Sequence, residues 1–362
     1  MKNSDPPVFD GHNDVLQCIY QPEDGRVRPF FEHTDQGHMD LPRMRAGGFG
    51  GGFFAVFVSS QSFRERSFPG VEADGGAASY DLPPESPVDL ELARAVSIKG
   101  MATLFRLEKQ SRGQLAVVRS VTELTDALER GVVAAVLHFE GAEAIDPDLD
   151  ALEVFYRAGL RSLGIAWSRS NDFAHGVPFR FPHSPDTGPG LSEAGRALVR
   201  ACNQMGVLVD LAHINERGFW DVAGITDRPL AVTHAGVHAL CPSTRNLTDR
   251  QLDAVGESDG VVGVNFHVGF LRRDGRQDPD TPLAEIVRHI DYIAQRIGVD
   301  HVALGSDFDG AVMPRELGDV SRLPRLIEAL KEWGYDRESL EKVCFRNWVR
   351  VLGSTWKDCS LY

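Results

Sequence analysis

The chain has 362 residues, 42% of them hydrophobic, and a formal net charge of −14. That apolar content supports a sizeable core in one large domain or two smaller ones, so disorder is not the expected state. The acidic balance, with neither basic runs nor aromatic-basic interleaving, argues against nucleic acid as a partner, and no stretch is long and apolar enough to cross a bilayer.

The start, Met1 to Pro7, carries no apolar leader and the end, Lys357 to Tyr362, no lipid-anchor tail, so a cytoplasmic protein without a membrane anchor is expected. Five cysteines are scattered without a close pair, which reads as reduced thiols rather than metal ligands.

Eight apolar segments recur along the chain: Val8 to Phe9, Phe53 to Val58, Val132 to Phe139, Leu160 to Trp167, Val207 to Leu211, Leu230 to Thr233, Val261 to Phe266 and Val302 to Leu304. Several are near-continuous and valine-rich, as parallel strands covered on both faces require. Helical patterns fill many gaps: Asp89 to Gln110, Val121 to Arg130, Leu149 to Arg157, Ser192 to Met205, Leu283 to Ile297 and Leu323 to Glu332. Ser192 and Asp148 are candidate helix caps. The alternation predicts an α/β fold, a (β/α)8 TIM-like barrel with helices outside, its site at the C-terminal rim and all 362 residues in one domain.

An open doubly wound sheet is the rival, but Phe49-Gly50-Gly51-Gly52-Phe53 lacks the spacing of a phosphate loop and reads instead as close backbone packing on entry to the second strand. The stretch Arg64 to Pro87, rich in Gly, Pro, Ser and charge, reads as a long loop near the site rather than a linker.

Polar residues close most of these strands. His12 and Asp14 follow the first, one residue apart, where an imidazole and a carboxylate can face the same side and grip one cation. Glu140 ends the third; a carboxylate can span two ions through its two oxygens. His138 has the same facing parity and is expected deeper, supporting a ligand. His213 and His234 close the fifth and sixth segments and should converge at the rim. Five ligands exceed a closed tetrahedral site and suit two neighbouring ions, His12, Asp14 and Glu140 on one and Glu140, His213 and His234 on the other. Asp307, after the last strand, is the candidate proton carrier, whereas Asp309 also fits a turn or cap.

These segments, together with Arg245-Asn246 and Gly305-Ser306-Asp307-Phe308-Asp309-Gly310, resemble the membrane (renal) dipeptidase family of binuclear zinc peptidases, over about Phe9 to Trp348. Asp319-Val320-Ser321 with Pro324 resembles the family's lead-in to a C-terminal helix. The resemblance implies a (β/α)8 barrel, commonly a homodimer, with two Zn2+ ions, that hydrolyses dipeptides and sometimes related amides. It assigns His12 and Asp14 to one zinc, Glu140 to both, and His213 and His234 to the other. Asp307 takes the role of acid-base, and Arg245 receives the substrate's terminal carboxylate, which its fork of donors suits. Two positions depart from the family pattern. Trp167 stands where a histidine often contacts the scissile group, and His267 where the animal enzymes have tyrosine. Both are taken as substrate-binding residues, with Arg169 and His175 as neighbours able to compensate.

The expected activity is hydrolysis of short dipeptides, L-Xaa-D-Xaa included, by a hydroxide shared between the ions, with Asp307 passing the proton to the leaving amine. A metal-dependent amidohydrolase or lactonase acting on a non-peptide carboxylated metabolite, motivated by Trp167, is the alternative. A metal-stabilised binding protein without catalysis is the third reading.

Overall fold

The computed structural model describes residues 5–21, 27–59 and 79–357. One nine-stranded sheet holds a short side strand, Leu115–Val117, paired with Val133–Ala135, and eight parallel strands that make the ring: β1 (Val8–Asn13), β2 (Phe49–Phe57), β3 (Val133–Glu140), β4 (Leu160–Gly164), β5 (Leu208–Asp210), β6 (Ala231–Ala235), β7 (Val261–Val264) and β8 (Val302–Leu304). Each pairs with its chain neighbour, so the sheet order is the sequence order. The ring closes where the backbone beyond β8 meets β1: the Asp307 amide donates to the His12 carbonyl at 3.0 Å and the Asp14 amide to the Phe308 carbonyl at 2.8 Å. This is a TIM-like barrel with helices outside.

All eight apolar segments read from the sequence are strands, with shifted ends. The largest shifts, of four residues, are at the end of β1, which runs on to Asn13, and at the start of β2, which begins at Phe49 and so contains the glycine run. Those glycines allow the close packing expected of them, since a Cβ at Gly52 would lie 2.6 Å from the Asp10 carbonyl of β1. All six anticipated helices are present; the longest is Leu90–Gln110, capped by Asp89. Ser192 caps Glu193–Met205 by accepting from the Gly195 amide. Asp148 does not cap Asp150–Ala158: Leu149 occupies that position, and the Asp146 carboxylate accepts the amides of Asp150 and Ala151 instead. Asp319 accepts the Ser321 amide and leads through a 3-10 turn into Leu323–Trp333, with Pro324 in the first turn, where its missing N–H costs nothing.

The C-terminal helix Asn347–Thr355 was not anticipated. It buries Trp348 completely against Phe9, Phe53, Val136 and Val261 of the strands, and the Trp348 indole N–H donates to the Leu304 carbonyl at 3.0 Å. Gly11 makes room for it, because a Cβ there would lie 2.7 Å from the indole. The strand ends at the opposite mouth are thereby left to the polar residues.

Of the expected loop 64–87, residues 64–78 lie outside the described residues. From residue 79 the chain forms a short strand, Tyr80–Asp81, antiparallel to Arg180–Phe181, and Glu85 bridges to Arg169 near the ends of the barrel strands. Among the described residues no helix is long and apolar enough to cross a membrane.

Candidate metal centre

Four strand ends deliver the five expected ligands to one place. His12 Nε2 lies 3.4 Å from Asp14 Oδ2 and 3.7 Å from Glu140 Oε1. On the other side of Glu140, the same Oε1 lies 3.0 Å from His213 Nε2 and 3.6 Å from His234 Nε2. His12, Asp14 and Glu140 form one group of ligand atoms and Glu140, His213 and His234 a second, all within 4.8 Å of one another in each. Glu140 is the shared member, as its position at the end of β3 led us to expect. A third group, His12, His234 and Asp307, sets Asp307 beside both.

The electrostatics ask for cations. Three carboxylates, Asp14, Glu140 and Asp307, crowd His12 in a largely buried space, and of these Glu140 and Asp307 also act on the Arg245 guanidinium; uncompensated buried charge is expensive. Burial opposes protonation of His12, but Glu140, Asp14 and Asp307 outweigh it and push its pKa up to about 10. A proton there meets a demand that a metal ion meets better. Neither ring nitrogen of His12 has a hydrogen-bond partner, although the ring is fully buried. Burial, then neighbouring positive charge, holds His213 and His234 well below the usual histidine range, so both present neutral imidazoles, the form that ligates metal. Their Nε2 atoms converge to 3.0 Å from each other, an approach of two ring nitrogens and a carboxylate that a cation between them satisfies. These residues fit a pair of adjacent zinc ions by donor type, by the shared carboxylate and by the orphaned nitrogens.

Asp307 has a left-handed backbone with φ of 63°, and its Oδ2 accepts from the Asn265 side-chain amide at 2.8 Å. Burial, and then the Asp14 carboxylate, raise its pKa, with His12 opposing. Gly310 is required beside it, because a Cβ there would lie 2.1 Å from Asp14 Oδ2 and 2.6 Å from Asp307 Oδ1. Asp309 is occupied elsewhere. It forms a buried two-point ion pair with Arg28, and His38 accepts its amide at 2.9 Å, so the loop turns on Asp309 and leaves Asp307 at the centre.

Arg245 is buried beside the ligands. One guanidinium nitrogen donates to the His234 carbonyl at 3.2 Å, and Nε has no partner. Its guanidinium lies 5.4 Å from the centre of the Phe270 ring. Trp167 packs its ring 5.6 Å from that of His213 and 4.9 Å from that of Phe57, and with Phe179 and Phe270 it forms an apolar cluster on the His213 side of the centre. His267 meets the same cluster, its ring 4.6 Å from Phe270. Its Nδ1 accepts the Val312 amide at 3.1 Å and burial lowers its pKa to about 4, so the neutral ring carries its proton on Nε2.

The two suggested compensating residues are engaged elsewhere. Arg169 is fully buried, its Nε on Glu143 at 2.8 Å and an NH2 on the Val58 carbonyl at 2.6 Å, and His175 Nδ1 pairs with the Ser170 hydroxyl at 2.8 Å. His138 lies beneath the ligands, its ring edge-on to His12 at 5.6 Å and its Nδ1 2.9 Å from the Ser162 hydroxyl. Sequence reasoning missed the groups that orient the ligands: Ser168, 2.7 Å from His213 Nδ1; Thr233, 2.9 Å from His234 Nδ1; and Asn265. Thr233 precedes His234, Ser168 follows Trp167 and Asn265 stands two residues before His267, but no feature of the sequence marked the roles of these three.

Comparisons with known proteins agree with this geometry. The model of the family described as membrane dipeptidase (peptidase family M19) matches residues 3–358. A metallo peptidase from Rhodobacter sphaeroides, solved with a phosphinate mimic of the dipeptide L-Ala-D-Ala, is 46% identical, with a TM-score of 0.91 over 98% of this chain and 100% of that one. The crystal structure of the metallo peptidase dipeptidase AC, also of family M19, is 45% identical, with a TM-score of 0.89 over 98% and 99% of the two chains. A Klebsiella pneumoniae protein known only by its place in the pqqA 5′ region is 50% identical over 258 residues, 71% of this chain and 95% of that protein.

Proposed function

The chain belongs to the membrane dipeptidase family and is a binuclear zinc-dependent dipeptidase, and we propose that His12, Asp14 and Glu140 hold one of its ions and Glu140, His213 and His234 the other. The observation that carries this assignment is Glu140 Oε1, within 3.7 Å of ring nitrogens from His12, His213 and His234 at once. When bound, the ions supply the charge that acidifies a water molecule and polarises an amide carbonyl.

The chain's own residues do the rest. Arg245, with an unpaired Nε and a charge that Asp307 and Glu140 sustain against burial, receives the C-terminal carboxylate of a short substrate and so selects dipeptides over internal peptide bonds. Asp307, held by Asn265, accepts a proton on its carboxylate and returns it to the leaving amine. Trp167 and Phe270 wall the space between His213 and Arg245, and His267 offers an Nε2–H at its edge. The substrate class we infer is a dipeptide with a free carboxylate, L-Xaa-D-Xaa included; the ligand of the Rhodobacter relative supports it.

The reading extends to a single catalytic domain that works as a cytoplasmic homodimer. Among the described residues no disulfide joins Cys18, Cys202, Cys241 and Cys344, which suits a reducing compartment, and the family resemblance supports association into a dimer. A panel of L,L- and L,D-dipeptides, N-acyl amino acids and lactones, assayed with the zinc-loaded protein, tests the substrate. Rapid turnover of dipeptides with a free carboxylate is expected. Turnover of lactones or N-acyl amino acids alone would favour the reading motivated by Trp167 at the usual histidine position.

A further inference from the structure

We propose that Asp210, acting through the Thr233 hydroxyl, fixes the ring tautomer of His234, and that both are positioning residues for the ion shared by Glu140, His213 and His234. The inference rests on reading those three residues as the ligands of one ion. It is carried by the direction of each hydrogen bond in a buried chain of groups.

Asp210 ends β5 and is 1% exposed. Its Oδ1 accepts two backbone amides, from Ala212 at 3.0 Å and from Thr233 at 2.8 Å, so that oxygen is fixed as an acceptor. Its Oδ2 receives the Thr233 hydroxyl at 2.7 Å. A hydroxyl has one proton to give. Once it is given to Asp210, the 2.9 Å contact between the same oxygen and His234 Nδ1 has to be donated by the ring. A neutral imidazole carries one N–H, so Nε2 is left bare. Nε2 is the atom that faces Glu140 Oε1 at 3.6 Å and His213 Nε2 at 3.0 Å. The carboxylate thus presents the lone pair that a metal needs, two bonds removed from it.

His213 lacks this device. Its Nδ1 meets the Ser168 hydroxyl at 2.7 Å, but among the described residues no carboxylate stands behind that hydroxyl, so it can turn to donate or to accept. The control over tautomer thus acts on His234 and not on His213.

Two nearly isosteric substitutions separate this account from a packing role. In Asp210→Asn the oxygen of the new amide keeps the two backbone N–H groups, which puts its NH2 in the place of Oδ2. The NH2 donates to the Thr233 oxygen, the hydroxyl proton turns to His234 Nδ1, and the ring is driven to carry its proton on Nε2, the nitrogen the ion requires. A carboxylate-to-amide change behind a histidine has a known parallel in serine proteases, where it leaves the geometry intact and selects the wrong tautomer. Thr233→Val removes the relay without choosing a tautomer. Thr233→Ser keeps it.

The test is zinc titration of the purified metal-free chain against a competing chelator, with 15N-histidine NMR of the metal-free protein as a readout independent of activity. The wild type is expected to bind two ions and to show His234 protonated on Nδ1. Weakening of one ion only is expected, about 10-fold in Thr233→Val and about 100-fold or more in Asp210→Asn, the range known for lost metal-orienting contacts. Asp210→Asn should also move the His234 proton to Nε2, and Thr233→Ser should match the wild type in both readouts. Two ions bound as tightly by Asp210→Asn as by the wild type, an equal loss of both ions, or an unchanged tautomer would each overturn the relay while leaving the ligand assignment standing. A wild type that binds a single ion would overturn the ligand assignment and the relay with it.

Discussion

Replacing Arg245 by alanine should abolish the enzyme's ability to tell a dipeptide from its C-terminal amide. Arg245 is 3% exposed, one of its guanidinium nitrogens donates to the His234 carbonyl at 3.2 Å, and Nε is unpaired, so donors remain for a two-point contact with a carboxylate. Burial lowers its pKa to about 10, with Asp307 and Glu140 opposing, and it therefore stays charged at neutral pH. Hydrogen bonds to charged groups contribute about 1.5–3 kcal/mol each, so a two-point contact amounts to about 3–6 kcal/mol. At about 1.4 kcal/mol per decade, kcat/KM for L-Ala-D-Ala should fall by about 10²- to 10⁴-fold in the variant. The assay is a thermodynamic cycle: kcat/KM for the dipeptide and for its amide, in wild type and in Arg245→Ala, at matched zinc content. The wild type should penalise the amide by a similar factor and the variant should treat both substrates alike. An amide penalty of equal size in both enzymes would refute the anchoring role.

Three further perturbations probe separate links. Asp307→Asn should lower kcat by about 10²- to 10⁴-fold with KM and zinc content unchanged, as steady-state kinetics and metal analysis would show; loss of zinc would instead make Asp307 a ligand. His289 accepts the Val237 amide on Nδ1 at 2.9 Å and donates from Nε2 to the Leu271 carbonyl at 3.0 Å, and burial lowers its pKa to about 4. The unfolded chain binds this proton near pH 6.5, so the contribution is intact above that value and is lost as pH falls towards 4, by at most about 3 kcal/mol. Urea denaturation at pH 7 and pH 5 should show a smaller loss in His289→Gln than in wild type, and equal losses would count against it. Trp348→Ala should cost about 3–5 kcal/mol in guanidinium unfolding at saturating zinc, and a cost below about 1 kcal/mol would mean that the indole does not plug the barrel.

The barrel was legible because each strand is a short apolar run, buried on both faces, that stops at a polar residue. Val302 to Leu304 followed by Asp307 and Val133 to Phe139 followed by Glu140 announce both the strand and the rim. The ligands were readable for the same reason, since strand ends of one barrel must converge even when they are far apart in sequence. Several short helices went unread, although Val121–Glu129 and Asp150–Ala158, no longer than Asp249–Glu257, were read. Val15–Tyr20, Glu216–Ala223 and Asp249–Glu257 offer at most two turns and a half of periodicity and are held by tertiary packing and caps such as Asn215. The capping misreading at Asp148 has the same origin: three aspartates, Asp146, Asp148 and Asp150, stand close together, and only the backbone's course decides which carboxylate reaches the free amides. The orienting hydroxyls of Ser168 and Thr233 were invisible because a lone hydroxyl carries no signal until the ring it meets has been placed. Trp167 was recognised as a departure, but its packing on His213 and Phe57 depends on side-chain directions that spacing does not give.

The central claim is that Glu140 is shared by two cations. Anomalous scattering at the zinc edge from crystals of the zinc-loaded protein tests it most directly. Two peaks about 3.5–4 Å apart are expected, one among His12, Asp14 and Glu140 and the other among Glu140, His213 and His234. A single peak under saturating zinc, or two peaks with Glu140 touching only one, would contradict the account.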